Sequence, residues 1–182
     1  MPFIIIGAVL VLILLMLAVN YNGLVKLRNQ SDEAFSTMDI YLKKRYDMIP
    51  NLVEIVKQYA THEREALEAV IRARSMAMGA QTFEERTQNE SYLSGALKSL
   101  FAVSEGYPQL KADGNFLNLQ NQLVALENDI SQSRKYYNGV VKVMNNKVDM
   151  FPSNLFAAML GFKRYPFFMV DDFERQNVQV RF

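Results

Sequence analysis

The stretch FIIIGAVLVLILLMLAV, residues 3–19, decides the architecture of this chain. It contains seventeen consecutive residues without a charged or hydrogen-bonding side chain. As a helix, Met1 to Tyr21 would extend roughly 31 Å, which matches the hydrocarbon thickness of a bilayer. We therefore expect residues 1–21 to form a transmembrane anchor. The side chains expected to face lipid are Phe3, Ile4, Ile5, Ile6, Val9, Leu10, Val11, Leu12, Ile13, Leu14, Leu15, Met16, Leu17 and Val19.

A cleaved signal peptide is the alternative interpretation of this segment. Signal peptides carry basic residues before the apolar run and small residues at positions −3 and −1 of the cleavage site. Here only Pro2 stands between Met1 and the run, and Met16 would occupy position −3 for cleavage after Ala18. The pattern favours a retained anchor.

Basic residues after the run set the expected orientation. Lys26, Arg28 and the cluster at residues 43–45 follow the span, whereas only the α-amino group precedes it. The positive-inside bias then predicts that the N-terminus lies outside and the C-terminal domain in the cytoplasm. The net charge of +1, with no basic stripe on a predicted helix face, argues against a nucleic-acid partner.

The rest of the chain is predicted to be helical almost throughout, because residues 20–150 contain only two prolines, Pro50 and Pro108. Pro50 is expected to end the first helix, so that a second helix begins at Met48 and ends near Gly79. The alternative is that Pro50 only kinks one very long first helix.

Two further helices are indicated by local patterns. Thr82 and Glu85 have the spacing of a capping box, which predicts the start of a third helix that stops before Pro108. The fourth helix has a coiled-coil-like repeat, in which apolar positions recur at alternating steps of three and four. Its expected core positions are Phe116, Leu119, Leu123, Leu126, Ile130, Ser133, Tyr137, Val140, Met144 and Lys147.

Short connections between these helices favour antiparallel neighbours. We therefore predict an all-α fold class: an N-terminal transmembrane helix, an antiparallel up-and-down four-helix bundle over residues 22–150, and an apolar C-terminal tail over residues 151–182.

The tail is rich in phenylalanine and is too apolar to lie free in water. A short helix is expected to begin at Pro152 or Ser153 and to end at Gly161. Beyond it, the chain either packs on its own bundle as an extended strap or meets the membrane or a second subunit. The alternation in residues 177–182 makes an edge-strand contact conceivable. The interaction candidates are Phe151, Leu155, Phe156, Phe162, Phe167 and Phe168.

Several charged residues lie on or beside the apolar stripes of the predicted helices. Charges at such positions are costly unless they are paired, so Glu–Arg pairing between helices is expected. A carboxylate-bridged di-metal site would require two Glu-x-x-His motifs, which the chain lacks. The residues assigned to structural charge pairing are Arg45, Glu63, Arg74, Glu127 and Arg134.

Candidates for catalysis are weak. His62 and Glu63 begin like an H-E-x-x-H zinc motif, but residue 66 is Ala66 and His62 is the single histidine in the chain. Ser31 and Ser133 have no histidine to activate them. We predict no enzymatic activity, no cofactor or metal, and no small-molecule substrate.

Four segments resemble the LemA family, and the resemblance extends over nearly the whole chain. They are RYDMIPNLVEIVKQYATHE (45–63), FLNLQNQLVALENDI (116–130), SRKYYNGVVKVMNNKV (133–148) and FPSNLFAAMLGF (151–162). The resemblance implies a single-pass protein of the bacterial inner membrane with a helical-bundle domain. It implies no reaction, because the family has no established biochemical activity.

The expected function is that of a membrane-anchored helical scaffold. Its expected partners are the lipid bilayer and further copies of the chain, for which Gly7 and Ala8 offer a close approach inside the membrane. The alternative is a non-catalytic regulator or adaptor of a membrane protein partner such as a protease or sensor kinase.

Overall fold

A computed structural model describes residues 1–169 of the chain, apart from the side chain of Val9. The fold class is all-α, as predicted, with a long apolar helix at the N-terminus. Within the described residues the helices are α1 (Pro2–Tyr59), α2 (Arg64–Gly79), α3 (Phe83–Ser104), α4 (Pro108–Lys111), α5 (Gly114–Asp149) and α6 (Ser153–Met159). The expected edge-strand contact of residues 177–182 lies outside the described residues.

Helix α1 continues through Pro50, so the predicted helix boundary at Met48 is wrong. Pro50 has no N–H with which to bond the carbonyl of Tyr46, four residues earlier. In the structure, Nε of Arg74 on α2 donates a hydrogen bond to that carbonyl at 2.7 Å. A side chain from the next helix therefore takes the place of the missing backbone donor, and the long first helix persists.

The starts of α3 and α5 follow local capping. The backbone N–H of Glu85 donates to Thr82 Oγ1 at 3.1 Å, and the Glu85 carboxylate accepts from the Thr82 N–H at 3.3 Å, which confirms the predicted capping box. At the start of α5, Asp113 Oδ1 accepts from the N–H of Phe116 at 2.8 Å. This bond, with a second from the Tyr59 hydroxyl, lowers the pKa of Asp113.

The chain divides into two compact units. The first contains Met1–Met38 and Gln132–Phe167, and the second contains Asp39–Ser131 and the described residues from Phe168. Helices α1 and α5 contribute residues to both units.

The first unit has its core where the beginning of α1, the end of α5 and α6 meet. Leu24, Met144 and Ala157, one from each of these helices, are fully buried together. Four half-buried side chains pack against this cluster: Leu27, Val148, Phe162 and Tyr165. A short C-terminal helix thus completes the core around α1.

In the second unit, α5 runs antiparallel to α1. Tyr59 donates to Asp113 at the start of α5, whereas Arg45, earlier on α1, pairs with Glu127, later on α5. This direction agrees with an up-and-down arrangement; the complete four-helix bundle stays a prediction.

The buried stripe of α5 departs from the predicted positions near its end. Phe116, Leu126 and Tyr137 are buried as predicted, but Val141 is fully buried whereas Val140 is only half-buried. Met144, three residues later, is again buried as predicted. The stripe thus takes a step of four and then three residues after Tyr137, and both orders keep to one face of a helix with 3.6 residues per turn.

The apolar part of α1 is not covered by the rest of the chain. None of its most apolar 18-residue window is buried, and Phe3 is 85% exposed. A core helix of a water-soluble domain would be mostly buried. By length and composition, α1 can cross a membrane.

Candidate functional site

A group of charged and polar side chains extends from the interior of the second unit to Glu127, whose side chain is 40% exposed. Arg45 on α1 and Glu90 on α3 are both fully buried and form a salt bridge. Nη1 of Arg45 also contacts Glu127 Oε2 on α5 at 2.6 Å, and Ser94 Oγ on α3 donates to Glu127 Oε1 at 2.6 Å. The guanidinium therefore connects three helices. We call these residues, with Tyr46, the buried charge network.

Tyr46 completes the coordination of Glu90. Its hydroxyl donates to the carboxylate oxygen of Glu90 that does not face Arg45. Burial raises the pKa of Tyr46 well above its ordinary value, and the charge and hydrogen bond of Glu90 raise it further. The phenol thus stays a donor across the physiological range, and both oxygens of Glu90 are engaged.

The contacts of Glu90 are those of a paired structural carboxylate. One oxygen meets a permanently charged guanidinium, and the other accepts from a phenol that keeps its proton. Among residues 1–169, no three His, Cys, Asp or Glu side chains are grouped so that they could hold a metal ion. Removing one partner of a buried ion pair is strongly unfavourable, so we expect the network to favour the register of α1, α3 and α5 in which these side chains meet.

Arg45, Glu127 and Arg74 are all engaged between helices. Arg45 and Glu127 contact each other directly, whereas Arg74 serves the carbonyl of Tyr46. Arg134 is half-buried on α5 in the first unit.

The expected Glu–Arg pairing is wrong for Glu63. Its carboxylate accepts a hydrogen bond from the Tyr107 hydroxyl at 2.8 Å and has no arginine partner within the described part of the chain. Glu63 lies at the break between α1 and α2, so the stripe on which its pairing was predicted does not continue through it.

Sequence reasoning missed Glu90. It precedes Leu93 by three residues and Leu97 by seven, and all three side chains are buried on one face of α3. A carboxylate at this spacing within an apolar stripe is the signal that could have found it.

The chain after α6 packs on its own first unit. The Asn145 amide forms two hydrogen bonds with the backbone of Tyr165, at 2.9 and 2.8 Å. Tyr137 donates to the carbonyl of Pro166 at 2.9 Å, and the Tyr165 hydroxyl donates to Asp32 at 2.9 Å. Residues 165 and 166 are therefore held as the extended strap.

The six aromatic and aliphatic interaction candidates differ in their burial. Phe168 is buried, and its ring packs edge-to-face on Phe83 with centroids 5.6 Å apart, so it is not available as an interaction surface. Phe162 is half-buried against the core of the first unit. Phe151, Leu155 and Phe167 are exposed, and Phe156 is half-buried.

The predicted anchor side chains are solvent-facing in the protein alone. Leu17 is half-buried, and the side chain of Val9 lies outside the described residues. The exposed members are Phe3, Ile4, Ile5, Ile6, Leu10, Val11, Leu12, Ile13, Leu14, Leu15, Met16 and Val19. A continuous apolar surface of this length needs a non-aqueous environment.

Known proteins similar to this chain include a LemA protein and several magnetosome proteins. A LemA protein from Metamycoplasma hominis is 25% identical over 162 residues, which cover 86% of this chain and 72% of that protein. Magnetosome protein MamQ 2 from Paramagnetospirillum magneticum is 22% identical over 178 residues, which cover 84% of this chain. Magnetosome protein MamQ from Magnetospirillum gryphiswaldense is 20% identical with the same coverage. This chain spans 65% of the length of these magnetosome proteins.

The exposed apolar helix and these relatives together indicate a membrane-associated helical protein. The sequence model of the LemA family matches residues 34–182, which is well over half of the chain. The chain therefore belongs to the LemA family.

Proposed function

We propose that this chain is a single-pass protein of the bacterial inner membrane whose helical domain is a non-enzymatic, homo-oligomeric scaffold. One observation carries the proposal: the exposed apolar segment and residues of the folded core belong to the same helix, α1. The helix that would cross the bilayer is also the helix that supplies Arg45 to the buried charge network.

Continuity of α1 supports a retained anchor. Leu24, Met38 and Leu42 are fully buried in the domain and follow the apolar segment within one helix. Helical hydrogen bonds satisfy the backbone polar groups inside the hydrocarbon layer, so α1 could leave the bilayer without a loop. The proposed orientation, with the N-terminus outside and the domain in the cytoplasm, rests on Lys26 and Arg28 after the span.

Assembly with further copies is supported by the surface of the span. A methyl group added at Gly7 would meet no atom within 4 Å, so this face of α1 is open. Small residues such as Gly7 and Ala8 let two transmembrane helices approach closely. The proposal of a scaffold rather than an enzyme is supported by the engaged carboxylate of Glu90 in the buried charge network.

The deciding experiment is the mass of the intact complex. Full-length protein would be extracted in mild detergent, transferred to lipid nanodiscs and measured by native mass spectrometry. We expect a homo-oligomer, weakened by Gly7→Leu and retained by the control Leu12→Ile, which keeps side-chain volume. A monomer in every detergent and in nanodiscs would contradict the scaffold, and a stoichiometric complex with another protein would favour the regulator.

Retention and orientation of the anchor need separate measurements. The protein should remain in the membrane after carbonate washing, with a mature N-terminus at residue 1 or 2. Because the chain has no cysteine, Gln122→Cys gives a single label site in the domain. A membrane-impermeant maleimide should leave it unlabelled in intact spheroplasts and label it after lysis. A mature N-terminus near Asn20 would refute the anchor.

A further inference from the structure

The outer face of the segment Met150–Leu160, which includes α6, is apolar and exposed. Ser153 and Ala157 face the protein interior, whereas Phe151, Leu155 and Met159 recur every four residues on the opposite side. Their exposures are 79%, 57% and 75%. Met150 and Leu160 extend the same exposed surface at either end. Within residues 1–169 this face is therefore largely exposed.

The packing of α5 on α1 within the first unit gives the position of this face relative to the apolar run. The rings of Tyr137 and Phe35 lie 5.8 Å apart, and Met144 is buried with Leu24. Further along α5, Lys147 Nζ lies 3.6 Å from the position of a methyl group added at Gly23.

As α5 advances from Tyr137 to Lys147, its neighbours on α1 move from Phe35 back to Gly23. Continuing this antiparallel register by three residues brings Met150 level with about residue 20 of α1. The apolar run ends at Val19. The turn after α5 therefore lies at the level where the proposed span leaves the hydrocarbon layer.

The depth of α6 follows from the contacts that hold it. Its Ala157 packs on Leu24, and Phe162 lies edge-to-face on Tyr21 with ring centroids 6.3 Å apart. Leu24 is five residues beyond Val19, or about 7.5 Å along the helix. The headgroup layer on each side of a bilayer is about 5–8 Å thick, and amphipathic helices lie within about that depth.

Charges around this face match a bilayer surface. Lys147, Lys163 and Arg164 lie within the last turn of α5 or after α6, and one acidic group, Asp149, pairs with Arg164 at 3.6 Å. Long basic side chains beside an apolar face are typical of interfacial helices, because they reach lipid phosphates while their stems stay in apolar surroundings.

We propose that residues 150–160 lie in the headgroup layer of the same bilayer that α1 spans, as a second, monotopic membrane contact. This inference rests on the proposed anchor. In this arrangement Phe151, Leu155 and Met159 contact lipid and not a second copy of the chain. The contact would hold the first unit at the membrane surface through α6 as well as through α1.

The test uses full-length protein in vesicles of phosphatidylcholine and phosphatidylglycerol. Since the chain has no cysteine, single substitutions can carry an environment-sensitive fluorophore: Leu155→Cys on the proposed contact, Leu12→Cys in the span, and Gln122→Cys on an exposed face of the second unit. We expect blue-shifted emission at Leu155, quenched by lipids with a nitroxide near the headgroup. The Leu12 label should be quenched by nitroxides deep in the acyl chain, and the Gln122 label by neither.

The outcomes separate the two proposals. A Leu155 label that behaves like the Gln122 label while the Leu12 label is in lipid overturns this inference and leaves the anchor intact. A Leu155 label that is shielded from water but not quenched by lipid assigns the face to another copy, and also overturns it. A Leu12 label in water overturns the anchor and this inference together.

A variant on the same face gives an independent readout. Leu155→Asp combined with Met159→Asp should return a fluorophore at Phe151→Cys to an aqueous emission. Both positions are exposed, so helix content measured by circular dichroism should not change. Leu155→Met combined with Met159→Leu, which keeps both side chains apolar, is the matched control. Unchanged lipid quenching at Phe151 in the double variant would contradict the inference.

Discussion

The effects of substituting Arg74 and Pro50 on stability should be coupled. Arg74 donates to the carbonyl of Tyr46 the hydrogen bond that Pro50, which has no N–H, cannot make. Arg74→Met leaves the carbonyl of Tyr46 without the donor at 2.7 Å. An unsatisfied polar group in a protein interior costs about 1–3 kcal/mol. In a chain of this size that corresponds to a melting temperature lower by about 2–12 °C.

Pro50→Ala restores a backbone N–H four residues after Tyr46. Replacing a proline inside a helix by alanine can stabilise it by up to about 3 kcal/mol. In the Pro50→Ala background, Arg74→Met should remove only one ordinary hydrogen bond, worth about 0.5–1.5 kcal/mol. The cycle should therefore give a coupling free energy of about 1 kcal/mol.

The assay is denaturant unfolding of the four full-length proteins in mild detergent, followed by far-ultraviolet circular dichroism. Arg72→Met, at an exposed position of the same helix, is the matched control and should change the free energy of unfolding by less than about 0.5 kcal/mol. An equal cost of Arg74→Met in both backgrounds would refute the reasoning, because the carbonyl would then not depend on Arg74.

Three further predictions concern burial. Glu90→Ala should cost about 3–5 kcal/mol in the same unfolding assay, because it leaves the Arg45 guanidinium buried with one fewer carboxylate; a cost below 1 kcal/mol would contradict the network. Leu126→Ala should cost roughly 2–5 kcal/mol and Gln122→Ala under about 0.5 kcal/mol, and similar values for both would mean that the wrong face of α5 was assigned to the core. Burial, with the charges of Tyr165 and Asp32, raises the pKa of Tyr137 from 10.0 to about 12. The folded protein holds the proton of Tyr137 more tightly than the unfolded chain does, so this contribution to stability is present below the unfolded pKa and is lost as the pH rises through the folded pKa. The melting temperature should therefore fall between pH 10 and 12, and it should fall less steeply in Tyr137→Phe.

Local patterns predicted most helix starts and the identity of the core stripes. The capping box at Thr82 and Glu85 is decided by side chains three residues apart, and such short-range geometry can be read directly from sequence. The stripe of α5 was predicted well at Phe116, Leu126 and Met144, but it was one residue off at Val140, because steps of three and of four residues both keep to one face of a helix with 3.6 residues per turn.

Residues that act across helices could not be assigned in this way. Glu63 and Glu90 are both carboxylates within helical patterns, yet only Glu90 contacts an arginine. Glu63 lies in the interruption between α1 and α2, which removes its side chain from the predicted apolar stripe. Similarly, Asn145 carries no signal of its own in the sequence, and its two hydrogen bonds with Tyr165 depend on a strap that arrives twenty residues later.

The sequence by itself determined that this protein has an apolar N-terminal segment long enough to span a bilayer and an otherwise helical chain. Both follow from composition and periodicity, which are properties of residues that are neighbours along the chain. The tertiary structure alone decided that α1 passes through Pro50, that Arg45 is shared between Glu90 and Glu127, and that α6 packs beside Leu24. Each depends on a donor, a charge or an apolar surface that a distant part of the chain brings into contact, and the sequence does not state which distant residues will meet.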